Sequence, residues 1–367
     1  MPVVTRRAGL SVTNVKAAET SGEIQWLGPP RKSAKFASAW KSRLTRPPRS
    51  DLDLTRETAW DRRNVRFLVL GSAAGGGFPQ WNCLCPNCRL AWERDPRTER
   101  RSQACLAVSE DGDNWVLLGA TPDLRSQILD APPLHPRIAP RHSPIRGVFL
   151  PNGDIDNIAG LLVMREMQPF TIWGSQATLA HVRGGVFAVV DEKIAPRVAV
   201  ALDETLDPGF GFTLTPFAVP GKIPLYMEPP DETELSLGVE GETTLGLEIC
   251  QGGRRAYYIP SCARVTSALR DRLEGADLLF FDGTTFEDDE MIRLGLSPKT
   301  AWRMGHLAMN GPRGSMAALA DVNVGQKVFI HINNSNPVLC QGSPERAQVE
   351  AAGWTIAHDG LELGFPK

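Results

Sequence analysis

The hydrophobic positions of the chain first form a sustained pattern near Val65. Residues 65–70 are almost entirely apolar, as expected of a short buried strand, and a glycine-rich loop follows at 71–77. Such a loop lets the backbone turn sharply or approach another group closely. Two further apolar runs, 105–109 and 114–118, flank an Asp-Gly sequence, and this pattern predicts a β-hairpin.

Later apolar runs and helical spacings predict a mixed α/β protein. Buried strands are expected at 145–150, 170–173, 212–215, 245–250, 256–259, 278–281 and 327–331. Helices are expected at 158–166, 175–183, 264–273, 315–320 and 344–352. The last helix has Ser343 as a natural N-cap and Pro344 at its first position. Because hairpins come first and helices alternate with strands later, the pattern favours a layered α/β sandwich.

Charge is divided unevenly along the chain. The net charge is −2, but residues 1–64 contain 13 Lys/Arg against 6 Asp/Glu, so the remainder is acidic. An acidic body argues against nucleic acid as a partner, because phosphate binding needs a basic surface. Residues 1–64 lack periodicity and contain two Pro-Pro pairs, which predicts a disordered leader before one domain at 65–367. A chain that starts at Val65 should therefore fold and function.

Three of the seven cysteines lie within six residues, as Cys83, Cys85 and Cys88. Three thiolates at this spacing predict a structural zinc site that takes its fourth ligand from elsewhere in the chain. His331 and Asn334 are both candidates for that ligand. The other four cysteines are far apart, so the pattern differs from a secreted disulfide framework and indicates a reducing cytoplasm. The sequence has no apolar run long enough for a membrane span.

Polar side chains collect where several predicted strands end. Asn152, Asp154, Asp156 and Asn157 follow the strand at 145–150, beside an expected helix N-terminus. In α/β folds such loops carry chemistry, although an ordinary capping loop has the same composition. Later strands also end in polar residues: Asp282 follows the strand at 278–281, and His331, Asn333 and Asn334 end or follow the strand at 327–331. His306 lies in the loop between these two strands.

Taken together, these segments resemble the PqqB family of pyrroloquinoline quinone (PQQ) biosynthesis proteins. The resemblance runs in order from about Val65 to Leu363. It is carried by the glycine and cysteine segment 71–88 and by shorter matches at Thr121-Pro-Asp123, Asp154-Ile-Asp156, 160–166, Pro220-Gly-Lys222, Asp282-Gly-Thr, Asp289-Glu-Met, Met304-Gly-His306 and His331-Ile-Asn-Asn334.

The resemblance implies a fold and a pathway. The fold is the four-layer αββα sandwich of the metallo-β-lactamase superfamily. The pathway makes the redox cofactor PQQ from a Glu–Tyr pair in a precursor peptide. Family members are described either as iron-dependent hydroxylases of the tyrosine-derived ring or as carriers of PQQ or its precursor towards the periplasm. Both roles imply PQQ or its precursor, and other PQQ biosynthesis proteins, as partners. A homodimer is a further expectation.

This chain departs from the hydrolytic members of the superfamily, which have His-x-His-x-Asp-His in the loop at 152–157. Here the four positions are two asparagines and two aspartates, and Asn157 stands where PqqB usually has a histidine. The later histidine and bridging-aspartate positions fall near 220–222 and 261–262, which offer poor ligands. A two-zinc hydrolase is therefore not expected.

A single Fe(II) site remains, and the resemblance supplies its candidate residues. The expected catalytic and iron-binding residues are Asp156, His306 and His331, with Asp154 beside them. Expected substrate-binding residues are Asp123, Arg125, Asn152, Lys222, Asp282, Asn333 and Asn334, of which Arg125 and Lys222 would face substrate carboxylates. If a metal sits beside Asp156, Asn157→His should tighten its binding. The missing histidines equally suit a carrier without catalysis.

Overall fold

Two β-sheets packed face to face form the centre of the protein, seen in a computed structural model that describes residues 64–227 and 237–366. The expected leader, apart from Asn64, lies outside the described residues. The strands are β1 (Arg66–Gly71), β2 (Cys105–Ser109), β3 (Trp115–Leu118), β4 (Ile145–Phe149), β5 (Thr171–Gly174), β6 (Arg197–Ala199), β7 (Thr213–Ala218), β8 (Leu245–Gln251), β9 (Arg254–Ile259), β10 (Ala276–Asp282), β11 (Val324–Ile330), β12 (Trp354–Ile356) and β13 (Glu362–Gly364).

The helices are short and lie between the strands in sequence. They are α1 (Pro86–Trp92), α2 (Leu124–Asp130), α3 (Ile155–Ile158), α4 (Gln176–Ala180), α5 (Ser267–Leu273), α6 (Glu290–Arg293), α7 (Ser315–Ala318) and α8 (Pro344–Ala351). In the parts of the chain that the structure describes, every helix is too short or too polar to cross a bilayer.

Each sheet is antiparallel at one end and parallel at the other. The first sheet has the order β13-β1-β2-β3-β4-β5-β6, with parallel pairing from β3 onwards. The second has the order β12-β11-β10-β9-β8-β7, with parallel pairing from β9 to β12. Because parallel strands end at the same edge of a sheet, the loops that follow β9, β10 and β11 lie side by side.

Three apolar clusters divide the molecule into four layers. One cluster lies between the sheets and joins Phe67 of the first sheet to Phe280 of the second. A second cluster covers the outer face of the first sheet with Leu124 of α2 and Leu179 of α4. The third covers the outer face of the second sheet with α1, α5 and α8. The result is the αββα sandwich expected of the metallo-β-lactamase superfamily.

All the strands predicted from the apolar runs are present, with ends shifted by a few residues. The hairpin of β2 and β3 is confirmed, and Gly112 in its turn has φ +74°, which favours glycine. The predicted cap is also present, since the Ser343 hydroxyl accepts a hydrogen bond from the backbone N–H of Arg346.

The helix predicted at 158–166 is wrong. Helix α3 begins earlier, at Ile155, and a 3-10 turn at Ala159–Leu162 replaces the rest. Gly160 explains the change, because a Cβ there would lie 2.3 Å from the carbonyl oxygen of Thr121. The backbone at Gly160 therefore packs directly against the backbone at Thr121. A side chain at this position would prevent so close an approach.

Gly147 tests how tightly the first sheet is packed. A Cβ at this position of β4 would lie 1.9 Å from the ring of Trp173. We expect Gly147→Ala to lower the free energy of unfolding by about 1–3 kcal/mol, because the ring must leave its place. Chemical denaturation measures the change. Gly241→Ala is the matched control, since its Cβ meets no atom within 4 Å. An equal effect of the two substitutions would contradict the packing argument.

Candidate metal centres

The three clustered cysteines form the first centre. One sulfur atom from each of Cys83, Cys85 and Cys88 lies within 4.8 Å of the others, at the start of α1. The side-chain amide of Asn334 faces all three, with its nitrogen 3.2 Å from Cys83 Sγ, 3.7 Å from Cys85 Sγ and 3.3 Å from Cys88 Sγ. If the amide is rotated by half a turn, its oxygen takes the place of the nitrogen, and that oxygen can serve as a metal ligand.

His331 does not join this centre, which corrects one of the two expectations for the fourth ligand. Its ring nitrogens lie 2.9 Å from Thr284 Oγ1 and 3.2 Å from Asp156 Oδ2, so it belongs to the second centre. Asn334 is also expected to bind substrate, and the structure places its amide among the three sulfurs.

The surroundings of the first centre suit a closed, structural site. The side chain of Asn87 donates hydrogen bonds to the backbone carbonyl oxygens of Asn334, Ser335 and Asn336, which fixes the loop against α1. A hydrogen bond from the Cys88 thiol lowers the pKa of Cys85, which favours a thiolate in this pair. Three buried sulfurs and one amide are a donor set that fits Zn²⁺.

The second centre lies where strands of the second sheet end. Asp282 closes β10, His331 follows β11, and His306 follows a 3-10 turn at Trp302–Met304. One ligand atom from each of these three residues lies within 4.8 Å of the others. His306 Nδ1 is 2.7 Å from Asp282 Oδ2, and the two imidazole rings stack with centroids 5.2 Å apart.

Thr284 holds this group together, and sequence reasoning did not single it out. Its hydroxyl oxygen lies 2.7 Å from Asp282 Oδ1, 3.0 Å from His306 Nδ1 and 2.9 Å from His331 Nδ1. The segment Asp282-Gly-Thr had been noticed only as part of the family resemblance. Its spacing of two residues after a strand end is the signal that could have identified the threonine.

The backbone at His331 is strained. Its φ is +60°, a region that a bulky side chain rarely adopts. The following residue, Ile332, pairs with the glycine-rich loop: its N–H donates to Ser72 O, and its carbonyl accepts from the N–H of Ala74. The loop at 71–77 therefore fixes the direction of the His331 ring.

Carboxylates and imidazoles of the second centre shift one another's pKa values. Burial acts to raise the pKa of Asp156 and of Asp282, but the imidazoles of His331 and His306 outweigh it, and both pKa values lie below the ordinary range. Burial acts to lower the pKa of His331, yet the hydrogen bond to Asp156 and the neighbouring carboxylates raise it. Two ionised carboxylates thus share a buried space with positive charge.

The space inside this centre is small. A cavity of about 40 Å³ is lined by Asn152, Asp154, Asp156, Asn157, Pro260, Ser261, His306 and His331. This volume has room for a metal ion with a water molecule but not for an organic substrate. A substrate must therefore sit over the mouth. Tyr226 stands close to that mouth: its hydroxyl donates to Gly153 O at 3.0 Å, and its ring meets His181 edge-on.

Residues of the loop after β4 divide into two groups. All four polar residues line the cavity, but only the aspartates offer carboxylates to it, and Asp156 Oδ2 lies 3.2 Å from His331 Nε2. The two asparagines are bonded to each other, since Asn157 Nδ2 donates to Asn152 Oδ1 at 2.9 Å. Both amides are buried and fix the loop.

Asp282 is placed differently from the expectation. It had been assigned to substrate binding, but it lies in the metal cluster, fully buried and bonded to His306. The reason is the pairing of β10 with β11, which brings the two strand ends together. Lys222 packs along Gly305, directly before His306, and so remains near the centre.

Three expected substrate-binding residues lie elsewhere. Asp123 accepts hydrogen bonds from the backbone and side chain of Gln103, on the other side of the glycine-rich loop. Arg125 is exposed on α2. Asn333 is buried and donates to Ser335 within its own loop. Of the three, only Asn333 follows His331, and its bond to Ser335 holds its amide within the loop. Asp123 and Arg125 belong to the start of α2, on the first sheet.

Comparison with known proteins agrees with this architecture. Residues 114–332 match the beta-lactamase superfamily domain. The chain is 54% identical over 300 residues to coenzyme PQQ synthesis protein B of Methylorubrum extorquens (strain PA1), covering 82% of this chain and 99% of the relative. It is 51% identical over 302 residues to the protein of the same name from Xanthomonas oryzae pv. oryzae, covering 82% of this chain and 100% of the relative.

Solved structures give the same result. The crystal structure of Zn²⁺-bound PqqB from Methylobacterium extorquens matches with a TM-score of 0.79 and 54% identity, covering 81% of this chain and 99% of that one. A diphosphatase of the PhnP family shares the fold at a TM-score of 0.58 and 21% identity, covering 82% and 98% of the two chains. Since identity exceeds one half over nearly the whole length of its relatives, this chain belongs to the coenzyme PQQ synthesis protein B family of the beta-lactamase superfamily.

Proposed function

We propose that this protein acts in the synthesis of coenzyme PQQ, and that its second centre holds one Fe(II) ion for hydroxylation of the tyrosine-derived ring of a Glu–Tyr precursor. Family membership supports the pathway. The observation that carries the reaction is the group Asp282, His306 and His331, with ligand atoms within 4.8 Å of one another. Two imidazoles and one carboxylate are the donor set of mononuclear non-haem Fe(II) oxygenases.

The bound iron would supply the activation of O₂, and this chain's residues would set the conditions for it. Asp282 is fixed by the backbone N–H groups of Cys262 and Thr284, each 3.0 Å from a carboxylate oxygen. The Thr284 hydroxyl orients both imidazoles. Asp156, at 3.2 Å from His331 Nε2, can take or return a proton at that nitrogen.

The substrate would lie over the cavity mouth. The cavity itself is too small for an aromatic ring, so the ring must approach from outside. Tyr226, bonded to Gly153 in the loop that lines the cavity, and the His181 ring beside it are the nearest aromatic groups that this loop contacts. Lys222 adds positive charge beside His306 and suits the carboxylates of a precursor. The Asn152 and Asn157 amides hold the shape of the loop, so the metal would be held by Asp282, His306 and His331.

A two-metal hydrolase does not fit these residues. Among the residues that the structure describes, only the cysteines and the second centre gather three metal-binding side chains. Asn152 and Asn157, at two hydrolase histidine positions, are bonded to each other. The same pair favours the alternative role, a carrier of PQQ or its precursor, because it removes two ligands from the site. We propose the reducing cytoplasm for either role, since the cysteines bind zinc only as thiolates.

Anaerobic titration with Fe²⁺ tests the hydroxylase. Wild type is expected to bind one Fe²⁺ per chain beyond its zinc. We expect His306→Gln to weaken that binding by about 100-fold or more, because it removes one of the imidazoles. His358→Gln, on the exposed surface, is the matched control and should change nothing. If wild type binds PQQ but no iron, the carrier replaces the hydroxylase.

A further inference from the structure

A second and much larger cavity lies on the other side of the glycine-rich loop. Its volume is about 850 Å³, within the range of pockets that hold small ligands. The loop separates it from the second centre: a Cβ at Gly75 would face Asp156 at 3.4 Å, whereas a Cβ at Gly77 would face Asp123 at 3.8 Å. The cavity is therefore a distinct space, bounded by β1, α2 and the turn at 359–362.

A buried guanidinium lies in the wall of this cavity. Arg101 is only 5% exposed, and its Nη1 donates to the carbonyl oxygen of Ala357. Its Nε has no hydrogen-bond partner among the described residues. The Asp359 carboxylate, whose charge acts on Arg101, is already bonded to Ser72 and Ser102.

This arrangement leaves a positive charge without a bonded anion. Burial lowers the pKa of Arg101 to about 10, so the group stays charged at neutral pH. A buried cation without a bonded counter-ion destabilises the protein, and a carboxylate is the group that guanidinium binds best. An anionic end of a ligand would therefore stabilise this wall.

A second wall of the cavity contains a carboxylate that could bind a cation. Asp130 lines the cavity and is the last residue of α2, where the helix dipole disfavours negative charge. It is exposed, and its side chain makes no hydrogen bond or ion pair with the residues that the structure describes. The negative charge of Asp130 destabilises α2 and faces the cavity, so a cationic group of a ligand would stabilise it.

We propose that this cavity binds a short peptide with free ends, its terminal carboxylate at Arg101 and its terminal ammonium at Asp130. A space of about 850 Å³ has room for a ligand of tripeptide size. The site is separate from the metal centres, so the inference stands or falls independently of the hydroxylase.

Three matched peptides test the assignment on the full chain. Isothermal titration calorimetry with trialanine, N-acetyl-trialanine and trialanine amide compares a peptide with both charges against peptides that lack one. Trialanine should bind. Trialanine amide should bind about 10-fold or more weakly, because it loses the contact with the buried guanidinium, and N-acetyl-trialanine about 2- to 5-fold more weakly, because the contact that it loses is exposed. Equal affinity for the three peptides, or no binding of trialanine at millimolar concentration, would overturn the proposal.

A surface variant assigns the ammonium end. Asp130→Asn should weaken trialanine by about 2- to 5-fold, because the ion pair at this exposed carboxylate is weak. It should leave N-acetyl-trialanine unchanged, since the acetylated peptide has no ammonium group. Asp271→Asn, an exposed carboxylate on α5, should alter neither. If Asp130→Asn weakens both peptides equally, or neither, the placement of the ammonium is wrong. Because Asp130 is exposed, this variant remains informative even where changes at buried Arg101 prevent folding.

Discussion

Cys85→Ser is expected to reduce the zinc content of the protein from one per chain to near zero. The sulfur of Cys85 stands among those of Cys83 and Cys88, and serine offers a much weaker ligand for Zn²⁺. Because the site ties α1 to the loop after β11, loss of the metal should also lower the free energy of unfolding by several kcal/mol. Elemental analysis and thermal unfolding measure the two effects.

Cys250→Ser provides the control for this prediction. Cys250 is half-buried on β8 and lies outside the cysteine cluster. The control should keep its zinc and its melting temperature. A Cys85→Ser protein that retains one zinc per chain, or that unfolds at the wild-type temperature without zinc, would show that the cluster is not a structural zinc site.

Asp282→Asn should nearly abolish iron binding at the second centre. The substitution keeps the shape of the side chain but removes the charge that faces His306 and His331. We expect the affinity for Fe²⁺ to fall by about 100-fold, and the stability to fall by about 1–3 kcal/mol, because one backbone N–H loses its acceptor. Anaerobic titration and denaturation measure the two losses separately.

Two comparisons make this prediction specific. Asp271→Asn, on the surface of α5, should leave both quantities unchanged. Thr284→Val removes only the hydroxyl that contacts the two imidazoles, and should weaken Fe²⁺ binding by about 10-fold. Full affinity for Fe²⁺ in a folded Asp282→Asn protein would exclude this carboxylate from the metal site.

The sandwich was predictable because its central strands are buried on both faces. Such strands appear in the sequence as continuous apolar runs, as at β10, where six of seven residues are buried. Strands β6, β12 and β13 were not predicted. β12 has only three residues, too few for a recognisable apolar run. The reason for β6 and β13 is their exposure. They lie at one edge or the other of the first sheet and contain no fully buried residue, so their sequences carry no apolar pattern.

The candidate site was only partly predictable. His306 and His331 could be identified from their places near strand ends, but the grouping with Asp282 depends on which strands are neighbours. Sequence alone could not decide whether His331 or Asn334 lies beside the cysteines. The answer depends on the direction of the chain at His331, where φ is positive, and residue type does not predict that angle. Asp123 and Arg125 lie away from the second centre, which sequence order could not show because it does not tell on which side of a loop a helix lies.

The contact between Asn334 and Cys83 has a consequence for the timing of synthesis. The two residues are 251 positions apart. At ribosomal rates of about 5–20 residues per second, the three thiols emerge roughly 13–50 s before the amide that completes their surroundings. Throughout that interval the nascent chain presents reactive sulfur to oxidants and to competing metals. Correct maturation therefore depends on a reducing and zinc-supplied environment while the polypeptide is still being translated.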